Sequence, residues 1–168
     1  MADDDAGKCL RFLTELPHEE IASLDASRQQ EPHLRLSQKR LAEALTRLVH
    51  GEAGLTTAQR ATEVFFGAEI DNLNDAQLVE IFADVPSRQL PRERLSGEGL
   101  PLIDALAEAG LAASKGEARR AIQQGGAYVN NRRKTEIEAR LTAADLASET
   151  VIVLRSGKKR YALLRFMD

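Results

Sequence analysis

The sequence predicts an α+β protein in two parts: an all-α helical domain, then a small α+β domain of two helices packed on a small hairpin-rich sheet. Three observations predict it. In residues 1–85 apolar side chains recur three and four apart, the helical spacing, with no β-rich run among them. Residues 86–99, PSRQLPRERLSGEG, hold two Pro, two Gly and two Ser with little apolar periodicity, the composition of a linker. The charge then changes sign. Residues 1–95 carry 11 Lys/Arg against 17 Asp/Glu, a net of −6, and residues 96–168 carry 12 against 9, a net of +3. The expected organisation is a helical domain over 1–85, a linker over 86–99 and an α+β domain over 100–168.

The helices follow in order. In KCLRFLTEL, Leu10, Leu13 and Leu16 lie three apart. LPHEEIASLDAS puts Pro17 where a first helical turn tolerates it, and Glu19 and Glu20 suit the positive end of the helix dipole. The clearest helix is EPHLRLSQKRLAEALTRLVHG. Leu34, Leu41, Leu45 and Leu48 form its stripe, with Pro32 at the start and Gly51 at the stop. LTTAQRATEVFFG predicts a short helix capped by Thr56 or Thr57 and stopped by Gly67. NDAQLVEIFADVP opens on Asn74, three residues before Gln77, which is the capping-box spacing, and Pro86 closes it.

The second part changes style. LPLIDALAEAGLAASKGEARRAIQQGG reads as two helices joined by a short turn: Pro101 starts the first and Gly110 stops it, with apolar Leu111 after the glycine. Ser114 and Glu117 make a second capping-box pattern, and Gly125-Gly126 breaks that helix. AYV is a short strand, and Asn130-Asn131 suits the positive φ angles of a tight hairpin turn. TVIVLRSGKKRYALLRF is a second hairpin around Ser156-Gly157.

Several function classes are set aside on this reading. No apolar run approaches the ~20 residues of a membrane helix, and the acidic start MADDDAGK lacks the apolar stretch of a signal peptide. Cys9 is alone, which excludes an internal disulfide framework and fits a reducing cytoplasm. It reads as a small hydrophobe. His18, His33 and His50 are too far apart, with no ligand-like neighbours, to suggest zinc. Glu19-Glu20 has no second catalytic group beside it, and Ser114 is explained by capping.

The feature that asks for a function is positive charge. Ser114–Lys134 holds six basic residues and one acidic one in a mildly acidic chain. Lys115, Arg119 and Arg120 share a broad face near a helix start, and Arg132, Arg133 and Lys134 follow on the hairpin. Arg155, Lys158, Lys159, Arg160 and Arg165 lie on the last hairpin. A helix N-terminus with two arginines suits a phosphate, and basic hairpin tips can follow a nucleic-acid backbone. A solvated basic face is the plain alternative.

Two short helices, SKGEARRAI, a glycine pair and YVNN together resemble the RNA-binding fold named for the fourth protein of the small ribosomal subunit, over about residues 101–134. KCLRFLTELPHEEI, QKRLAEALTRLVHGEAG and AQRATEVFFG resemble the helical anticodon-binding region of bacterial tyrosyl-tRNA synthetases. RSGKKRYALLRF resembles the end of that enzyme. The catalytic signatures of that family, His-x-Gly-His and Lys-Met-Ser-Lys-Ser, are absent from this sequence.

The resemblance implies the non-catalytic C-terminal part of a larger ATP-dependent enzyme. It implies no cofactor in this chain, ATP being bound by the catalytic domain of the parent. The implied partner is tyrosine tRNA, gripped at the anticodon region and the long variable arm, in the cytoplasm, with neither DNA nor membrane. The implied parent is a homodimer, joined through its catalytic domain, and this chain alone a monomer. The residues expected to contact phosphates are Lys115, Arg119, Arg120, Arg132, Arg133, Lys134, Lys158, Lys159 and Arg160. Asp3 to Asp5 could pair a carboxylate with a guanine edge; a frayed terminus is the other reading. Two rivals stand beside this: a free-standing module for structured ribosomal RNA, and a helical interaction protein whose basic face is incidental.

Overall fold

The computed structural model describes residues 5–70 and 72–168. It divides into a unit ending at Gln59 and a unit running from Arg60 to Asp168. Asp3 and Asp4, offered above as guanine readers, lie outside the described residues, and the Asp5 carboxylate lies 3.6 Å from Lys8 Nζ.

The first unit contains α1 (Ala6–Leu13), α2 (His18–Gln30) and the beginning of α3 (Leu36–Phe65). Its core is Leu10, Ile21 and Leu41, flanked by Cys9, Leu16, Leu24 and Leu45. Buried Ser37 donates its hydroxyl to the Leu24 carbonyl at 3.0 Å and so ties α3 to α2. The expected leucine stripe is shorter than its spacing suggested, because Leu48 is 71% exposed.

The starts of the helices also differ from expectation. Pro32 opens a single 3-10 turn, Pro32–Leu34, and Arg35 then takes a left-handed conformation with φ 53°, so α3 begins at Leu36. Gly51, at φ 70° and ψ −174°, breaks α3 as predicted. The helix resumes directly after it, so Thr56 and Thr57 are not caps. They sit inside the helix and donate their hydroxyls back to the Glu52 and Ala53 carbonyls.

The second unit is built on a five-stranded sheet of order β1-β7-β6-β3-β4. The strands are β1 (Ser87–Pro91), β3 (Ala127–Val129), β4 (Arg132–Lys134), β6 (Val151–Ser156) and β7 (Arg160–Met167). β1 runs parallel to β7 and the other pairs are antiparallel. Two short strands, β2 (Leu100–Pro101) and β5 (Arg140–Leu141), form a separate ribbon. The helices are α4 (Asp75–Ile81), α5 (Leu102–Glu108) and α6 (Lys115–Gln123).

The central strands β6 and β7 are buried on both faces. Ile152, Leu154, Ala162, Leu164 and Phe166 pack with Leu102, Leu106, Ala118 and Ile122 of α5 and α6. Val151, Val153, Tyr161 and Leu163 face the other way and pack with Val64, Ile70, Leu78 and Phe82. Phe65, Phe82 and Tyr161 meet as a ring cluster with centroids 5.2–5.4 Å apart.

This packing changes the expected organisation of 1–85, 86–99 and 100–168. The end of α3 and α4 belong to the second unit, because they cover a sheet face that would otherwise be open. Residues 86–99 are not a free linker. Ser87–Pro91 pairs with Leu163–Met167, Leu95 is buried, and Arg94 grips Glu108 with two hydrogen bonds. The proline-rich composition fits an edge strand, where missing N–H groups cost little.

Asp75 at the start of α4 fastens that helix to the approach to β6. Its carboxylate accepts from the Ser148 hydroxyl, the Thr150 hydroxyl and the Thr150 N–H. Burial opposes its ionisation, but these hydrogen bonds together hold its carboxyl below the usual aspartate value. Asn74 and Gln77 complete the predicted capping box.

Candidate nucleic-acid interface

The local structure that carries the basic residues is set by caps and turns. Ser114 Oγ accepts the Glu117 N–H at 3.2 Å, as its pattern predicts. The Glu117 carboxylate takes the N–H of Ala113 at 2.8 Å, one residue earlier than the usual box partner. Gly110 stops α5 at φ 74°, and Leu111 N–H returns to the Leu106 carbonyl. Asn130 and Asn131 both adopt positive φ, 49° and 62°, and turn β3 into β4 as expected.

Asn131 does more than turn the chain. It is 8% exposed, and its Nδ2 donates to the Val64 and Ala68 carbonyls at 2.8 and 2.7 Å. The end of α3 is thereby capped by the hairpin of the basic cluster. Asn130 Nδ2 donates to the Asp145 carbonyl, and its Oδ1 accepts from Val153 N–H.

The nine predicted residues fall into three places. Lys115 and Arg119 flank a shallow hollow of about 310 Å³ at the start of α6, with Arg120 beside them in sequence. Lys115 Nζ is 2.8 Å from an Asp104 oxygen, while Arg120 Nε donates weakly to the Gly116 carbonyl at 3.4 Å.

Arg133, Lys158, Lys159 and Arg160 lie where the α5–α6, α6–β3 and β6–β7 turns meet. Gly157 N–H donates to the Gly126 carbonyl at 2.7 Å, Arg160 Nη2 donates to the Gly110 carbonyl at 3.2 Å, and the Arg133 side chain lies against Gly125. Gly125 has φ 68°, and a Cβ there would meet Arg133 Cδ at 3.4 Å. That is ordinary contact, so it is the positive φ that calls for glycine where α6 ends.

Arg132 and Lys134 are elsewhere. Arg132 is bonded to Glu69 Oε2 at 2.8 and 3.2 Å, and Lys134 lies 3.6 Å from Asp145. Three of the nine, Lys115, Arg132 and Lys134, thus face a carboxylate of the same chain. Among the described residues the remaining six have no carboxylate partner. That difference matters chemically. A cation already beside an anion presents a weaker field, and its pair must loosen before it can serve a phosphate.

Two side chains at this site were not among the nine expected to contact phosphates, although Arg155 was noted on the last hairpin. Tyr128 and Arg155 face each other across β3 and β6, and Arg155 lies 3.8 Å from the Tyr128 ring centroid. Tyr128 also faces Arg133 across β4. No spacing signal joins residues 128, 133 and 155; strand register alone brings them together.

A small α+β unit with unpaired basic side chains at three adjoining turns is the class of architecture in hand. A family model described as the tyrosine-tRNA ligase SYY-like C-terminal domain matches residues 77–164. That match covers more than half of the chain, and the protein belongs to this family. The chain is 50% identical over 168 residues to a tyrosine-tRNA ligase of Rhodopirellula baltica, covering all of this chain and 38% of that protein. It is 44% identical over 165 residues to one of Roseiflexus castenholzii, covering 98% of this chain and 39% of the relative. A solution structure of a tyrosyl-tRNA synthetase C-terminal domain aligns with 39% identity and a TM-score of 0.47, over 61% of this chain and 98% of that one. The chain therefore spans about two fifths of the length of these curated relatives. Among the described residues no helix is long and apolar enough to cross a membrane.

Proposed function

We propose that this chain is the tRNA-binding C-terminal region of a tyrosine-tRNA ligase and serves aminoacylation carried out by a catalytic domain outside it. The observation that carries this reading is the set of six basic side chains without carboxylate partners, on a unit that belongs to the ligase C-terminal family. Arg119 and Arg120 contact phosphates beside the α6 N-terminus, where backbone N–H groups and guanidinium charge act together. Lys158, Lys159 and Arg160 continue the track along the β6–β7 turn. Lys115, Arg132 and Lys134 contribute less, because Asp104, Glu69 and Asp145 already hold them. Arg133 lies at the same end of the unit.

The partner in this reading is tyrosine tRNA, with the second unit on the anticodon stem and long variable arm and the first near the anticodon. ATP and tyrosine belong to the catalytic part, so this chain needs no cofactor of its own. The parent works in the cytoplasm as a homodimer. The test is binding of the purified chain to a tyrosine tRNA transcript, the same transcript without its variable arm, and a ribosomal RNA fragment. Tightest binding to the intact tRNA is expected. Equal binding to all three would make this a general RNA module, and binding to none would leave the basic surface incidental.

A further inference from the structure

The sheet carries a cross-strand stack that the phosphate track on α6 does not use. Arg133, Tyr128, Arg155 and Tyr161 are register partners on β4, β3, β6 and β7. Side chains directly opposite across neighbouring strands share a sheet face, so the four form one row. The Arg155 guanidinium lies 3.8 Å from the Tyr128 ring centroid and 5.8 Å from that of Tyr161. The Arg133 guanidinium lies 5.6 Å from the Tyr128 centroid, and its Nη2 donates to the Tyr128 hydroxyl at 3.1 Å.

Two positive groups thus share one ring, and among the described residues neither has a carboxylate partner. Arg155 is half-buried, and its Nε is buried without a hydrogen-bond partner. Arg133 is exposed and flanks the ring on the β4 side, Arg155 on the β6 side, so an anion over the ring edge meets positive charge from both. A guanidinium stacked on an aromatic ring loses little freedom when it binds, because its plane is already fixed.

We propose that Tyr128 is a positioning residue that holds Arg133 and Arg155 as a preformed clamp for one phosphate of the RNA backbone. This rests on the reading of the unit as RNA-binding and adds a contact on the sheet itself. The rival is a stack that only stiffens the sheet.

Affinity for the tyrosine tRNA transcript separates the two, with the thermal midpoint measured alongside. Tyr128→Leu removes the ring and keeps both charges, and binding should weaken about tenfold, as two surface cation–ring contacts imply. Tyr128→Phe keeps the ring and should stay within about threefold, the hydroxyl contact being one neutral acceptor. Arg155→Lys keeps the charge and loses the flat stacked geometry. It should match Tyr128→Leu, and it carries the test if Tyr128→Leu does not fold. In the double variant Tyr128→Leu with Arg133→Ala, the losses should be less than additive, because both act through one clamp.

Wild-type binding by Tyr128→Leu and Arg155→Lys would overturn the proposal, as would fully additive losses in the cycle. If those variants bind normally while Arg119→Ala with Arg120→Ala loses affinity, the clamp fails and the RNA reading stands. If the wild-type chain binds no tRNA, both fail together.

Discussion

Asn131→Asp is the perturbation that asks most of the fold around the candidate interface. The replacement keeps the side-chain shape and tolerates the φ of 62°, so the turn itself is spared. It turns a donor aimed at two carbonyl oxygens, 2.8 and 2.7 Å away, into an acceptor, at a site 8% exposed. Two lost hydrogen bonds cost roughly 1 kcal/mol each, and a carboxylate facing carbonyls with little water adds roughly 1–3 kcal/mol. Together that is about 3–5 kcal/mol at neutral pH. In a unit of this size each kcal/mol moves the melting midpoint by roughly 4–8 °C, so a drop of at least about 12 °C is expected.

The sign with pH gives a sharper test. Burial and the carbonyls raise the folded-state pKa of the new carboxyl above its unfolded value. The penalty is then full above the folded pKa and shrinks as pH falls through it, since a protonated carboxyl can donate once more. Scanning calorimetry of the variant and wild type from pH 4.5 to 8 should show the gap narrowing towards acid. A variant that melts with the wild type, or a gap that does not change with pH, would refute the capping role of Asn131.

Other outcomes follow from the same packing. Asp75→Asn removes one charged acceptor from the Ser148–Thr150 cluster and should cost about 1–2 kcal/mol at pH 7. Because the Asp75 pKa is lowered on folding, its contribution is full above the ordinary aspartate value and is lost as pH falls through the folded value. The gap between Asp75→Asn and wild type in acid unfolding should therefore narrow as pH falls below the ordinary aspartate value of about 4, and a constant gap would contradict this. Trypsin should spare Arg88, Arg92 and Arg94, since β1 is paired and Arg94 is bound to Glu108; rapid cleavage there would restore a free linker.

Much of the fold was legible in the sequence because its signals are local. Asn74 and Gln77, Ser114, Gly110 and the turn made by Asn130-Asn131 act through neighbours a few residues away, whereas the long-range hydrogen bonds of both asparagines carried no local signal. The domain boundary was not legible in that way. The run Val151-Ile152-Val153-Leu154 does not alternate, and all four side chains are buried. Such a strand needs cover on both faces. Helices α5 and α6 cover only one, so residues 64–82 had to be recruited across the supposed linker. That signal was present in the sequence, but the proline and glycine content of 86–99 masked it. At the candidate site, the charge was legible and its pairing was not. Nothing in the order of residues places Glu69 against Arg132, or Asp145 against Lys134, or Tyr128 between two arginines.

The central claim is that the unpaired arginines of α6 contact RNA phosphates. Its most direct test is the slope of log affinity for tyrosine tRNA against log salt. Each lost phosphate contact lowers that slope by roughly 0.7–0.9. Arg119→Ala with Arg120→Ala should flatten it by about one to two units, at most one phosphate per arginine, with stability changed by no more than about half a kcal/mol each. Arg132→Ala with Lys134→Ala, whose charges already face Glu69 and Asp145, should flatten it by less than about half a unit. Glu43→Ala in the first unit should leave it alone. If the Arg119 and Arg120 variant melts normally and binds with unchanged affinity and slope, that helix face is only a solvated surface, and the account of it is wrong.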